Sequence, residues 1–282
     1  MTEQHCPDPF IIAGVQMDIG LNETSANILK MIEFAKTAAE NNARIVVFPE
    51  LSLTGYMYED QNSIPRVAEP VPGPATDAIA NVCRSLNIFI LMGMIETADG
   101  IFYNSVVLVG PNGVTGVARK AHLPYLGADK WVSPGNLPFE VFQTPWGRIG
   151  VLVCFDGSFP EAARVLALKK ADIIFLCTNW PDDKDSARSQ AYITPTRAIE
   201  NHVYYCAVNR VGIEKNVKFM GKSRFVDFNG TTIVQGSPDK EEILYAKIDL
   251  QQVRNNVVCS GQYDMSRLEQ RRPELYGLIS ER

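Results

Sequence analysis

An apolar, β-branched run, Ile149-Gly150-Val151-Leu152-Val153, stops abruptly at a thiol, Cys154. Phe155-Asp156-Gly157-Ser158-Phe159 follows, and then Pro160-Glu161. Such a run is a buried strand. Gly157 and Ser158 are turn residues, and Pro160 suits the first turn of a helix. The segment therefore reads as strand, sharp turn, helix, the repeating unit of α/β folds. It also sets a side chain at the end of a buried strand, beside free backbone N–H groups. A helix start favours negative charge there, and free amides can hold an oxyanion. A lone cysteine in such a run is more economically a core residue, so the chemical reading needs support from other segments.

The rest of the chain repeats the alternation. Strand-like runs cover 11–17, 45–48, 88–96, 103–109, 114–119, 172–178, 203–208 and 242–248, and Pro111-Asn112-Gly113 signals a hairpin turn. Asn22 is placed to cap a helix whose face holds Leu29, Ile32, Ala35 and Ala39. A second helix carries Ile79, Val82, Cys83 and Leu86 at helical spacing. A third runs from the Cys154 turn to Lys170, and a fourth spans Ser189 to His202 with a break near Pro195. Asn229-Gly230 predicts a two-residue hairpin turn within 225–234. There is no repeat and no linker, so 1–282 reads as one α/β domain. Its helix-flanked strands imply a covered sheet, and its hairpins imply mixed pairing. Periodicity alone does not divide the strands between one sheet and two. From Gln251 onward the chain reads as a tail packed on the body or on a partner.

Composition removes several function classes. The formal net charge is −5 and no Lys/Arg block occurs, which argues against nucleic-acid binding. No apolar run reaches membrane-spanning length. The polar N-terminus is unlike a signal peptide, and a cytoplasmic protein is expected. The chain holds six cysteines, but one this long needs no disulfide framework. Its three histidines, His5, His122 and His202, lack metal-ligand spacing, so no metal site is expected.

Two more segments share the design of the Cys154 turn. Ile45-Val46-Val47-Phe48 ends in Pro49-Glu50, before a loop that includes Thr54-Gly55-Tyr56. A carboxyl group at the end of a buried strand has a raised pKa, which suits a general base. A solvated loop glutamate is an equally good reading of that segment alone. Val117-Ala118-Arg119 runs into Lys120, ahead of His122 and Pro124. An ammonium there could hold a carboxylate or an oxyanion, whereas a surface lysine is the plainer explanation. Together the three strand ends supply a nucleophile, a base and an oxyanion-binding cation. His122 offers a rival Cys–His pairing.

Phe48 to Tyr56, Arg119 to Leu123 and Gly150 to Glu161 resemble, in order, the three catalytic blocks of the nitrilase superfamily of carbon–nitrogen hydrolases. Arg197-Ala198-Ile199-Glu200-Asn201 and Gly221-Lys222-Ser223 resemble two further signatures of that family. The resemblance implies a four-layer α-β-β-α sandwich of two mixed sheets flanked by helices, and a homodimer or higher oligomer with 251–282 packed at the subunit interface. It implies Glu50 as general base, Lys120 as oxyanion cation and Cys154 as nucleophile, with the backbone N–H of Phe155 in the oxyanion hole and no cofactor. Family members carry a second Glu six residues before a Pro-Gly pair. Counted back from Pro134-Gly135 that position is Ala128, with Asp129 beside it as the possible second acid; Glu140 reads as structural.

Nitrilases of this family follow the cysteine with Trp-Glu. Phe155-Asp156 here looks more like the amidase and carbamoylase branches. A small-molecule amide or carbamoyl substrate is therefore expected, with a nitrile as the alternative. A catalytically reduced binding or scaffold protein is the reading from another class, motivated by the altered second acid. Tyr56, Tyr125, Asn179 and Trp180 are candidate substrate-binding residues, Trp131 is another, and Lys184 or Arg188 could meet a substrate carboxylate.

Overall fold

The computed structural model describes residues 7–254, 258–260 and 263–281, with only the backbone described for 258–260 and 263–264. Two six-stranded sheets stack face to face. The first runs β14 (Glu242–Ile248), β1 (Phe10–Gln16), β2 (Ala43–Val47), β3 (Phe89–Ala98), β4 (Ile101–Gly110) and β5 (Gly113–Arg119). The second runs β13 (Thr232–Gln235), β12 (Arg224–Val226), β9 (Tyr204–Val208), β8 (Ile173–Cys177), β7 (Gly147–Val153) and β6 (Val141–Thr144). Pairing is parallel through β1-β2-β3 and β7-β8-β9 and antiparallel elsewhere in both sheets, so both are mixed.

Alternation along each strand explains the layering. Ile12, Ile45, Val47, Leu91, Val151, Val153, Phe175 and Cys206 point between the sheets and form one core. Their neighbours Ala13, Val15, Val46 and Ile90 point outward, under α1 (Thr24–Glu40) and α3 (Pro74–Leu86). Leu152, Ile174, Leu176 and Ala207 point outward from the second sheet, under α4 (Pro160–Leu168) and α6 (Thr194–Asn201). Central strands buried on both faces must be apolar at every position, hence the unbroken runs at Ile45 to Phe48 and Ile149 to Val153. The result is the four-layer α-β-β-α sandwich. Shorter elements complete it: α2 (Ile64–Val67), α5 (Lys184–Arg188), α7 (Leu250–Arg254), the β10 (Ile213–Glu214) and β11 (Val217–Lys218) hairpin, and the β15 (Val258–Ser260) and β16 (Tyr263–Met265) hairpin.

Local expectations fail at four places. Asn22 is not the cap of α1; Glu23 occupies that position, and Asn22 sits at φ +63° in the preceding turn. The buried stripe of α1 is Asn27, Met31, Ala35 and Ala38, while Leu29 faces solvent. The polar Asn27 disguises the stripe; it is buried because its side chain bonds Gly20 and Leu53. The β12–β13 connection is not a two-residue turn at Asn229-Gly230. It spans Asp227 to Thr231, with the Asp227 carboxylate accepting the Asn229 and Thr231 amides. The helix expected from Ser189 begins earlier, at Lys184. The expected break lies at a π-helical turn, Ser189–Ile193, just before Pro195. The tail expected over 251–282 falls partly outside the described residues.

Gly93 on β3 is where the first sheet touches the Glu50 loop. A Cβ there would lie 2.2 Å from the Leu51 nitrogen and 2.7 Å from the Pro49 carbonyl oxygen. Gly93→Ala must push that loop away, and overpacking of this kind costs about 1–3 kcal/mol. Urea unfolding should show a lowered midpoint with an unchanged slope.

Candidate active site

Glu50, Lys120, Cys154 and Asn179 each lie just beyond the C-terminal end of a strand: β2, β5, β7 and β8. Two of these strands belong to each sheet, so the four turns meet at one rim of the sandwich, the end at which open α/β sheets gather their ligands. Two turns are bent by left-handed residues that are not glycine, Leu51 and Cys154, both at φ +46°. Each such residue costs about 1–3 kcal/mol and persists only where its surroundings hold it. Leu51 is fully buried. Beyond Cys154 the chain makes a 3-10 turn over Cys154–Ser158 before α4 begins at Pro160.

Two side chains hold that turn. Asp156 turns back to accept the Val153 amide (3.3 Å) and the amides of Ala121 and His122 (3.4 and 2.9 Å). It thereby ties the Cys154 turn to the loop after Lys120. Arg197 donates to the carbonyls of Gly157 (3.2 Å) and Ser158 (3.0 Å), giving a structural task to the first of the two minor signatures. The second does the same for the Asn179 loop. Ser223 accepts the Asn209 amide, and the Asn209 side chain accepts from Thr178 and from the Trp180 amide.

At the centre Lys120 donates to Glu50 Oε1 (2.7 Å) and to Asp129 Oδ2 (2.5 Å), and all three groups are buried. Asn104, on β4, donates to Glu50 Oε1 (2.7 Å) and Asp129 Oδ1 (3.0 Å) and so bridges the carboxylates. Tyr56 donates its phenol to Asp129 Oδ2 (2.7 Å), and its ring lies 5.6 Å from the Lys120 nitrogen. The Asn179 side chain donates to the Glu50 carbonyl oxygen (2.9 Å). Glu50 Oε2 has no hydrogen-bond partner among the described residues.

One cation facing two carboxylates leaves the cluster net negative in a dry setting. Burial pushes the Glu50 carboxyl up; Lys120 pulls it down, the Asp129 charge pushes it up again, and it ends above the ordinary range. Burial alone would lower the Lys120 ammonium, but the Glu50, Cys154 and Asp129 charges outweigh it and hold the ammonium above its ordinary value. Loss of water pushes the Cys154 thiol well above its usual value, and the Glu50 charge adds to this. Lys120 and the Asn179 amide pull the other way without prevailing. The Cys154 thiol is thus neutral at rest, in the field of a carboxylate of raised basicity.

The other sequence candidates separate cleanly. His122 does not pair with Cys154. Its Nδ1 lies 2.7 Å from Asp156 and its ring stacks on Phe159 at 3.7 Å, so the Cys–His alternative is lost. Asp129, one residue past the aligned position, reaches Lys120, while Ala128 is buried among apolar side chains. Glu140 lies on the surface, paired with Lys169. Tyr125 is 83 % exposed. Trp180 is buried in the layer beneath α4 and α6, and Trp131 donates to the Tyr58 carbonyl. Arg188 pairs with Asp185 on the surface, and Lys184 is exposed. Sequence reasoning missed Asn104, whose signal was a polar residue inside the apolar run Phe102 to Val109.

The carbon–nitrogen hydrolase family model matches residues 11–256. The chain belongs to this family, within the nitrilase superfamily. It is 38 % identical over 246 residues to a nitrilase of Pyrococcus abyssi, covering 86 % of this chain and 91 % of that one. It is 31 % identical over 284 residues to a citrullinase of Francisella tularensis, covering 95 % and 97 % of the two chains. A carbon–nitrogen hydrolase structure from Helicobacter pylori superposes with a TM-score of 0.85 at 25 % identity, covering 97 % and 99 %. Membership makes the chain a thiol-dependent hydrolase of carbon–nitrogen bonds other than peptide bonds. Among the described residues no helix is long and apolar enough to cross a membrane.

The electrostatics carry a signed prediction. The Asp129 charge raises both Glu50 and Cys154, so removing it lowers both. In Asp129→Asn, alkylation of Cys154 should set in at lower pH than in the parent protein. Mass spectrometry of the Cys154 peptide across a pH series, with iodoacetamide as the probe, reads this directly. A midpoint that stays in place or moves upward would contradict the charge assignment.

Proposed function

We propose that the chain hydrolyses a small-molecule amide or carbamoyl compound, with Cys154 as nucleophile, Glu50 as general base and Lys120 as oxyanion cation. The observation that carries this reading is the buried Lys120 held between Glu50 and Asp129 at the rim where the Cys154 turn emerges. In this mechanism Cys154 attacks the carbonyl carbon while its proton passes to the open Oε2 of Glu50. Lys120 and the Phe155 amide, in the first turn beyond the thiol, stabilise the developing oxyanion. Glu50 returns the proton to the leaving nitrogen, and ammonia or an amine departs, leaving a thioester on Cys154. Glu50 then takes a proton from water, which attacks the thioester, and the acid is released as the thiol is re-formed. No metal or organic cofactor enters these steps. Asp129 acts as the second acid by fixing Lys120, with both its oxygens already occupied by Asn104, Tyr56 and Lys120.

The open acceptors favour an amide or ureido group over a nitrile. Among the described residues Glu50 Oε2, Asn104 Oδ1 and Asn179 Oδ1 are buried without partners, and both asparagines touch Glu50. Amides and ureas bring N–H donors, whereas a nitrile brings none and leaves these acceptors unsatisfied. Citrulline, after which one relative is named, ends in a ureido group. The relative named a nitrilase supports nitrile hydrolysis as the second reading. A cytoplasmic homodimer, with the tail at the subunit contact and neither nucleic acid nor membrane as partner, completes the proposal.

Ammonia release should be measured from short amides, N-carbamoyl amino acids and amines, and aliphatic and aromatic nitriles. Release from the amide or carbamoyl group, abolished in Cys154→Ala, is the expected outcome. Lys120→Met should lose on the order of a hundredfold or more in kcat, and its thermal midpoint should fall because two buried carboxylates lose their cation. Release from nitriles alone would replace the first reading with the second. Turnover unchanged in Cys154→Ala would remove the nucleophile assignment altogether.

A further inference from the structure

Behind Tyr56 lies a second buried ion pair. Arg210, fully buried just beyond the end of β9, donates to Glu214 Oε1 (2.8 Å). It also donates to Asp18 Oδ1 (3.0 Å) and to the carbonyls of Ile19 (2.7 Å) and Val211 (3.2 Å), and its guanidinium stacks on Phe219 at 4.3 Å. With so many fixed neighbours Arg210 is an anchor. The other oxygen of Glu214, Oε2, leaves this pair and accepts the backbone amides of Tyr56 (2.9 Å) and Met57 (2.5 Å). The chain approaches so closely there that a Cβ on Gly55, at φ +82°, would lie 2.8 Å from Glu214 Oε1. The phenol of the same Tyr56 donates to Asp129, which receives Lys120.

We infer that Glu214 is a positioning residue of the active site. Anchored by Arg210, it fixes the peptide from which Tyr56 projects, and through the phenol it sets Asp129 and Lys120. The inference rests on the roles proposed for Glu50, Lys120 and Cys154. Both oxygens of Glu214 face donors only: a guanidinium on one side, two amides on the other. Glutamine cannot replace it, because either orientation of its amide turns an NH2 group toward a donor. The displacement passes to Tyr56, and small misplacements of groups around a reacting centre cost disproportionately in rate.

The readout is the rate constant for alkylation of Cys154 by iodoacetamide, measured on the intact chain by mass spectrometry. In this reaction sulfur bonds to the CH2 carbon, iodide leaves and the thiol proton passes to Glu50, so no substrate is needed. Glu50→Gln is the reference: it removes both the proton acceptor and a charge that holds the thiol protonated, and it is expected to change the alkylation rate. Glu214→Gln is compared with the parent, and the same change is compared within Tyr56→Phe. If Glu214 works through the phenol, Glu214→Gln changes the alkylation rate at least tenfold in the parent and no more than twofold in Tyr56→Phe. A merely structural Glu214 would lower thermal stability and change the rate by the same factor in both backgrounds, which overturns the inference. Should Glu214→Gln not fold, Glu214→Asp, which keeps the charge but withdraws the carboxylate from the amides, goes through the same cycle under the same criterion. If Glu50→Gln leaves alkylation unchanged, the proposed catalytic roles fail and the inference falls with them. If Glu50→Gln changes the alkylation rate but the cycle is additive, only the inference falls.

Discussion

A buried ammonium cannot stand alone, and the rim of this sandwich is built around that constraint. Lys120 is out of contact with water and meets two carboxylates, Glu50 and Asp129. Removing both carboxylates would leave the ammonium unpaired in a medium that screens poorly. Burial holds both the Glu50 carboxyl and the Cys154 thiol above their ordinary ranges; Lys120 pulls both down, the Asp129 charge pushes both up, and the Glu50 charge adds to the rise of the thiol. Asn104 separates the carboxylates by donating to both. Tyr56 adds a donor on the far side of Asp129.

The sandwich supplies what this cluster needs. Both sheets are sealed on both faces, so their strand ends form a rim that receives charge from the chain and little from solvent. Strands from each sheet then deliver one group apiece with little freedom. The left-handed bends at Leu51 and Cys154 are strained. They are held by ties that cross the rim: Gly93 close against the Glu50 loop, and Asp156 binding the amides of Ala121, His122 and Val153. The acid, the cation and the thiol are therefore held to one another through backbone contacts as well as through their side chains.

Groups that sit at the ends of apolar runs were legible in the sequence. Glu50, Lys120 and Cys154 each close such a run, so local pattern pointed to these three, whereas Asp129 was reached only through the family resemblance. The four-layer arrangement was legible through resemblance only, because strands buried on both faces show no period that tells one sheet from two. Partners brought in from far along the chain left no such trace. Glu214 meets Tyr56 across 158 residues, and Arg210 looks in the sequence like any surface arginine until the fold encloses it. Asn27 was missed for a related reason. A helix face was sought among apolar residues, and one of the buried positions is an amide satisfied by carbonyls outside the helix.

The neutral state of the thiol also bears on how such a site survives between turnovers. Oxidation and adventitious alkylation both follow thiolate character. A cysteine paired with a histidine cation, or standing beside an unopposed lysine, would be ionised at rest. Here His122 is turned away toward Asp156, and the charge of Lys120 is already taken by two carboxylates, so neither side chain draws out the thiol proton. In the proposed mechanism ionisation waits for an electrophile close enough for bond formation to drive proton transfer to Glu50. Reactivity in that mechanism is then tied to the arrival of substrate, and the thiol is protected by the same burial that raises the Glu50 carboxyl.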